Sequence, residues 1–385
     1  MERNKILYLT SAMDNDSFKE YLKGWSISPN LSNQNFHNKL IHAFALSYDV
    51  DVICNRSINK YFKEKKLGAY IVKEGNIYWK YLYTTRNKVA KFFHLWKRIK
   101  KITLFDQDLI VVDALNMSLL KKAIKIKLKK HIKVIGVCTD NPKNISFTSK
   151  HYQNRLLGLG RILDGYIVLT DKINELYNKR NKPYIQIDGV SDSITSINEK
   201  LIEGEYIYFG GSLMKEYGVY NLIEAFNQLN KQDLKLVLCG HHVNKDSLNK
   251  AIKGNENIKY LGPIDYASNL SLERNALFTV NPRPQNEKID QYSFPSKTLE
   301  FLANECLTIA VENPLLKEHY YDCIIWSKSG EPNDLLDAMN RALELSKAQK
   351  EKLVKLGKEK VMHYTSLSNV NSLLTKLFSE NFLNK

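Results

Sequence analysis

Short apolar runs of strand length alternate with stretches of helical period along the whole chain. In the first half the runs are Lys5–Thr10, Asp49–Cys54, Ala69–Val72, Leu109–Val112, Lys133–Cys138, Asp164–Leu169 and Pro183–Ile187. Apolar-periodic segments predict helices between them at Phe36–Leu46, Tyr81–Lys101, Leu115–Lys130, Ser149–Leu163 and Asp171–Lys182. The polar stretch Ser191–Glu203 reads as a linker, after which the alternation restarts. Strands are predicted at Tyr206–Phe209, Leu234–Cys239, Ile258–Leu261, Ala276–Val280, Thr308–Val311 and Cys323–Trp326. Helices are predicted at Val219–Leu229, Leu248–Lys253, Asn269–Arg274, Lys297–Asn304, Asp334–Leu345 and Ala348–Met362. Strand–helix alternation of this kind predicts an α/β protein with parallel sheets covered on both faces. Two successive Rossmann-like domains follow, 1–190 and 204–363.

The stretch Ala276–Ala310 is the most specific. A strand ends at Asn281-Pro282-Arg283-Pro284, a polar loop follows, and Pro295 stands where a helix begins before the next strand. The loop of such a βαβ unit lies at the carboxyl end of its strand, where open α/β sheets bind ligands. Ser293 and Ser296 offer hydroxyls, the first-turn amides lack helical partners, and Lys297 adds a charge. This makes an anion site suited to a phosphate or diphosphate. Glu300, four residues after Ser296, faces the same side and can accept hydrogen bonds from a ribose diol. An ordinary helix cap with a solvated Lys and Glu is the plainer reading of the same residues.

Other loops carry weaker signals. Gly210-Gly211-Ser212 follows a strand, with Lys215 nearby, and glycines there let backbone amides approach a phosphate or merely form a turn. Gly240 follows the next strand, and Gly262-Pro263-Ile264 the one after. His241 and His242 are adjacent, so they point apart, and no third ligand is spaced for zinc; solvated loop histidines fit better. Asp140 ends the strongest N-terminal strand; it could handle an acceptor hydroxyl or cap the turn before Pro142. Asp14, Asp16, Asn33 and His37, in or beside the loop Ser11–Asn35, are further acceptor-side candidates.

Composition narrows the class. The 385 residues suffice for two cores, and 43% hydrophobic with 25% charged residues is a globular composition. No run spans a bilayer, and MERNKILYLTS has no signal-peptide core. Five dispersed cysteines, without CxxC spacing, read as reduced core thiols of the cytoplasm. The net charge of +16 is unevenly placed: residues 1–199 hold 34 Lys+Arg against 18 Asp+Glu, and 200–385 hold 23 against 23. Tyr81–Lys133 alone has 14 cations, with Tyr81, Tyr83, Phe92, Phe93 and Trp96 interleaved. A helix so composed suits an anionic membrane interface, or packs its rings on the sheet. Without a nucleic-acid motif, no nucleic-acid partner is expected.

The pattern NPRP…YSFPSKTLEFLA…LTIA resembles the donor-site signature of glycosyltransferase family 4, in the branch that assembles bacterial capsular and exopolysaccharides. The resemblance implies the GT-B fold, with two Rossmann-like domains facing across a cleft and a final helix, near 365–380, rejoining the first domain. It implies that Glu300 contacts the nucleotide ribose. Tyr292 stands where the family has a sugar-contacting glutamate, within an otherwise intact Tyr292-Ser293-Phe294-Pro295-Ser296-Lys297 pattern. It further implies that Gly210, Gly211, Ser212 and Lys215 lie against the donor diphosphate, with Arg283 and Lys297 supplying charge. Pro263 and Ile264, with Gly240, would border the base, and Asp140 would face the acceptor. A retaining, metal-independent transferase without a cofactor is implied, using a UDP-sugar ahead of a GDP- or dTDP-sugar. Its partners would be the nucleotide sugar, a lipid-linked glycan or polysaccharide acceptor and the inner face of the cell membrane. The alternative is a catalytically inactive GT-B-like scaffold, consistent with Tyr292, that binds membrane or nucleic acid through its basic half.

Overall fold

The computed structural model describes residues 3–26, 32–87, 90, 107–144, 148–192, 199–241, 245–286 and 290–383. The chain divides into two compact units, one of residues 1–190 with 367–385 and the other of residues 191–366. The first contains β1 (Lys5–Thr10), β2 (Asp49–Cys54), β3 (Lys66–Leu67), β4 (Tyr70–Glu74), β5 (Ile77–Tyr81) and β6 (Thr84–Thr85). It continues with β7 (Leu109–Asp113), β8 (Lys133–Cys138), β9 (Gly165–Val168) and β10 (Tyr184–Gln186). Eight of these form one sheet in the order β10-β9-β8-β7-β1-β2-β5-β4, while β3 and β6 pair separately. The interior strands β7 and β9 are buried at every position, as parallel strands covered on both faces must be.

Helices cap these strands with the residues the physics favours. Asn116 caps Met117–Lys130, Ser149 caps Lys150–Gly160 and Thr170 caps Asp171–Tyr177, each side chain accepting a first-turn amide. The last helix, Leu367–Asn381, packs on Ser32–Ala45 within the first unit. Phe378 stacks on Phe44 with centroids 5.5 Å apart, and Asn371 donates to Ser47 Oγ at 2.9 Å.

The second unit holds β11 (Glu205–Gly210), β12 (Leu234–Cys239), β13 (Ile258–Gly262), β14 (Phe278–Asn281), β15 (Thr308–Val311) and β16 (Ile325–Ser327). They form an all-parallel sheet in the order β13-β12-β11-β14-β15-β16. Alternate residues of β11 enter separate cores: Ile207 and Phe209 join one face, Tyr206 and Tyr208 the other. The first and last residues of this unit meet. Ser191 bridges Ser366 in parallel, and its N–H donates to the Thr365 carbonyl at 2.7 Å.

Three sequence expectations need correcting. The first sheet is not wholly parallel, because β4 runs antiparallel to β5 at its edge. Tyr81 does not open a basic helix: it ends β5, whose Ile77, Trp79 and Tyr81 point inward with the period of a strand. Of the rest of the predicted helix Tyr81–Lys101, residues 88, 89 and 91–101 lie outside the described residues. The polar loop after β1 contains a helix, Asn15–Lys23, which buries no residue fully and is capped by Asp14.

Candidate functional site

Parallel pairing of the second sheet, with a register shift between β12 and β13 after Leu238, brings several predicted residues to its carboxyl edge. Gly210 pairs with Cys239, Cys239 with Gly262, and Asn281 with Ala310. At this edge the backbone is packed too closely for side chains. Gly240 has φ +132°, and a Cβ on it would lie 1.7 Å from the Gly211 carbonyl oxygen. Gly211 N–H donates to Cys239 O and Gly240 N–H to Gly262 O, both at 2.9 Å, so the three glycine loops form one layer. A Cβ on Gly218, φ +77°, would lie 2.0 Å from the Pro282 carbonyl, so only glycine lets the Pro282-Arg283-Pro284 loop come this close.

Beside that edge sits a buried ionic cluster. Lys297 Nζ lies 2.8 Å from Glu273 Oε1 and 2.8 Å from Glu300 Oε1. Glu273 is wholly buried, whereas the Lys297 and Glu300 side chains are 26% and 24% exposed. Asn269 Nδ2 donates to Glu273 Oε1 at 2.6 Å and to Glu300 Oε1 at 3.2 Å, and Asn304 Nδ2 donates to Glu273 Oε2 at 3.1 Å. The Tyr208 hydroxyl donates to Asn269 Oδ1 at 2.8 Å, completing the network from β11. Burial pushes the Glu273 carboxyl up to about 7, against the lowering pull of Lys297. Burial alone would lower the Lys297 ammonium, but its two carboxylates more than offset this and raise it.

The helix Ser296–Ala303 starts where predicted, yet its N-terminus differs from the expected open anion site. Pro295 offers no capping side chain, and Ser296 N–H donates to Phe294 O at 2.8 Å, Thr298 N–H to Pro295 O at 3.1 Å. Local carbonyls thus take up amides that the sequence suggested were available. Arg283 pairs with Asp290 at 3.2 Å and lies over the Tyr217 ring. A shallow open groove at the ends of β14 and β15 is lined by Asn281, Arg283, Asp290, Ser293, Pro295 and Asn313, among others. Gly211, Lys215, Pro263 and Ser296 are exposed, Ser212, Gly240, Ile264, Tyr292 and Ser293 half-buried, and Gly210 and Phe294 buried.

In the first unit Asp140 is half-buried and its Oδ1 accepts the Asn141 N–H at 2.7 Å. Two acceptor-side candidates are sealed in the core. His37 is fully buried with Nδ1 2.7 Å from the Tyr8 hydroxyl and Nε2 3.8 Å from Asp113. Asp14 is 5% exposed and holds the Tyr81 hydroxyl. Asn33 donates to Ser11 Oγ at 3.3 Å, and exposed Asp16 faces Lys19 at 3.5 Å. His241 is exposed and His242 lies outside the described residues. The sequence reading missed Glu273, Asn269 and Asn304. The only signal was Asn269 and Glu273 at i, i+4 on a helix, a spacing that solvated faces share.

Residues 192–360 match the family model described as "Glycosyl transferases group 1". No curated protein's sequence matches the chain. Among solved structures, sucrose-phosphate synthase from Thermosynechococcus elongatus is similar with a TM-score of 0.70 and 13% identity, over 98% of this chain and 99% of that one. Anabaena HepE in complex with UDP gives 0.67 and 13%, over 98% and 100%. A structure described as trehalose-6-phosphate from E. coli bound with UDP-2-fluoro glucose gives 0.68 and 11%, over 97% and 99%. At such identities the likeness is one of fold. This chain therefore has the GT-B glycosyltransferase fold, and its second unit is a group 1 glycosyltransferase domain.

Proposed function

We propose that this protein is a retaining glycosyltransferase that moves a sugar from a nucleotide-diphosphate donor, a UDP-sugar first, to a lipid-linked glycan in bacterial surface polysaccharide assembly. The observation that carries this reading is the placement of Lys297 and Glu300 on one helical turn beside the glycine layer of a group 1 domain. UDP in the Anabaena relative of the same fold, and UDP-2-fluoro glucose in the E. coli one, support the choice of donor. In this reading Glu300 accepts the ribose hydroxyls, and Lys297 with Arg283 neutralises the departing diphosphate. Gly210, Gly211 and Ser212 let the backbone approach it. The basic first unit takes the acceptor, with Asp140 as the group that meets its hydroxyl, and rests on anionic lipid. No described helix is long and apolar enough to cross a membrane, so this contact would be peripheral.

A thermal-shift screen against UDP-, GDP- and dTDP-sugars, followed by a transfer assay, tests the reading. A UDP-sugar should bind, and Glu300→Ala should weaken it at least tenfold. Absence of binding by every sugar nucleotide would sink the proposal. Tyr292, in the place of a family glutamate, favours the inactive-scaffold alternative; binding without transfer or hydrolysis would select it. Sedimentation with anionic but not neutral vesicles tests the lipid contact.

A further inference from the structure

The charges beside Lys297 do not suit an anion as they stand. Two carboxylates face one ammonium, so with Glu273 ionised the cluster carries a net negative charge. A sugar nucleotide brings two more negative charges to the same place. We propose that docking of the donor diphosphate beside Lys297 takes up one proton from solvent, and that this proton lands on Glu273. The inference rests on the donor reading above and adds a regulation of that site.

The geometry selects Glu273 over its neighbours. Of the two carboxylates on Lys297 it is the one wholly cut off from water, so losing its charge relieves the larger desolvation penalty. Three donors hold it: Lys297 and Asn269 on Oε1, and Asn304 on Oε2. A neutral carboxylic acid still accepts at its carbonyl oxygen, so protonation keeps the tie between the helices Tyr266–Arg274 and Ser296–Ala303. Burial holds the Tyr208, Tyr266, Cys239 and Cys306 protons on their side chains, and the neighbouring Arg274 is paired with Glu305 at 2.8 Å. Glu300 shares Lys297 but is partly exposed. Burial already brings Glu273 to about 7, within reach of physiological pH, and a nearby diphosphate raises it further. Protonation removes one counter-charge and leaves the Lys297 ammonium available to the diphosphate.

The sign follows from linkage. A group whose pKa is higher with ligand bound than free makes affinity fall as pH rises between the two values, by up to tenfold per unit. Sugar nucleotides are suitable probes because their diphosphate is esterified at both ends and does not itself titrate near neutrality. Calorimetry of the tightest of UDP-, GDP- and dTDP-glucose, in two buffers of different ionisation enthalpy at pH 7.5, should show net proton uptake. Its affinity should fall several-fold from pH 6.5 to 8.5. Glu273→Gln, checked for folding by circular dichroism, should abolish the uptake and flatten the profile. Binding without uptake in the wild-type chain, or uptake that persists in a folded Glu273→Gln variant, overturns the inference but leaves the donor site standing. Failure of all three sugar nucleotides to bind overturns both.

Discussion

Lys297 is a structural charge as well as the ammonium proposed to meet the donor diphosphate. It was legible in the sequence because it stands in the Pro295-Ser296-Lys297 pattern, but its partner Glu273 was not, since nothing in SNLSLER marks one glutamate as buried. Removing the ammonium leaves a buried carboxylate without its counter-charge, which costs about 3 kcal/mol. Lys297→Met should therefore lower stability by about that amount in urea denaturation at pH 8. The loss should shrink toward pH 5.5. Without Lys297 the folded Glu273 pKa lies still further above its unfolded value, so the penalty is present at high pH and fades as protonation proceeds. An equal loss at both pH values would contradict this account. Gly240 offers a second residue-scale test. A methyl there must displace the Gly211 carbonyl, and it sits on a residue whose φ of +132° L side chains rarely adopt. Gly240→Ala should weaken sugar-nucleotide binding at least tenfold, measured by calorimetry, and lower the melting temperature.

At the scale of elements, what could be read depended on whether periodicity or chemistry was the louder signal. The strands β11 to β15 were plain because each is a short apolar run between turn residues. β5 was not, because Tyr81 and Tyr83 lead into a run of cations and the aromatic–basic mixture masked the alternation of Ile77, Trp79 and Tyr81. The helix Asn15–Lys23 escaped for the opposite reason: it is short, and its apolar stripe of Phe18, Tyr21 and Leu22 is only half-buried within a polar loop. The final helix belongs energetically to the first unit through Phe378, which is wholly buried against Phe44 and Tyr48. Phe378→Ala should cost about 3–5 kcal/mol. Hydrogen exchange should accelerate in Ser32–Ala45 and the neighbouring strands more than in β11 to β16. Uniform acceleration would assign the helix a different role.

For the whole molecule, the α/β fold class was readable from alternation alone, while the proposed donor chemistry rests on the one motif that physics and resemblance both single out. The charge excess of the first half was equally plain, but much of the segment that carries its aromatic residues lies outside the described residues. The hydrogen-bonded meeting of Ser191 with Thr365 and Ser366 gives the second unit the topology of a cassette spliced into its host. Because entry and exit share one doorway, exchanging the insert for a homologous one requires no rerouting of the surrounding chain. Residues 191–366 expressed alone should fold cooperatively and retain sugar-nucleotide affinity within tenfold of the parent; an unfolded fragment would show the cassette to depend on its host. Donor preference could then be swapped between such enzymes as a module, leaving acceptor choice with the recipient.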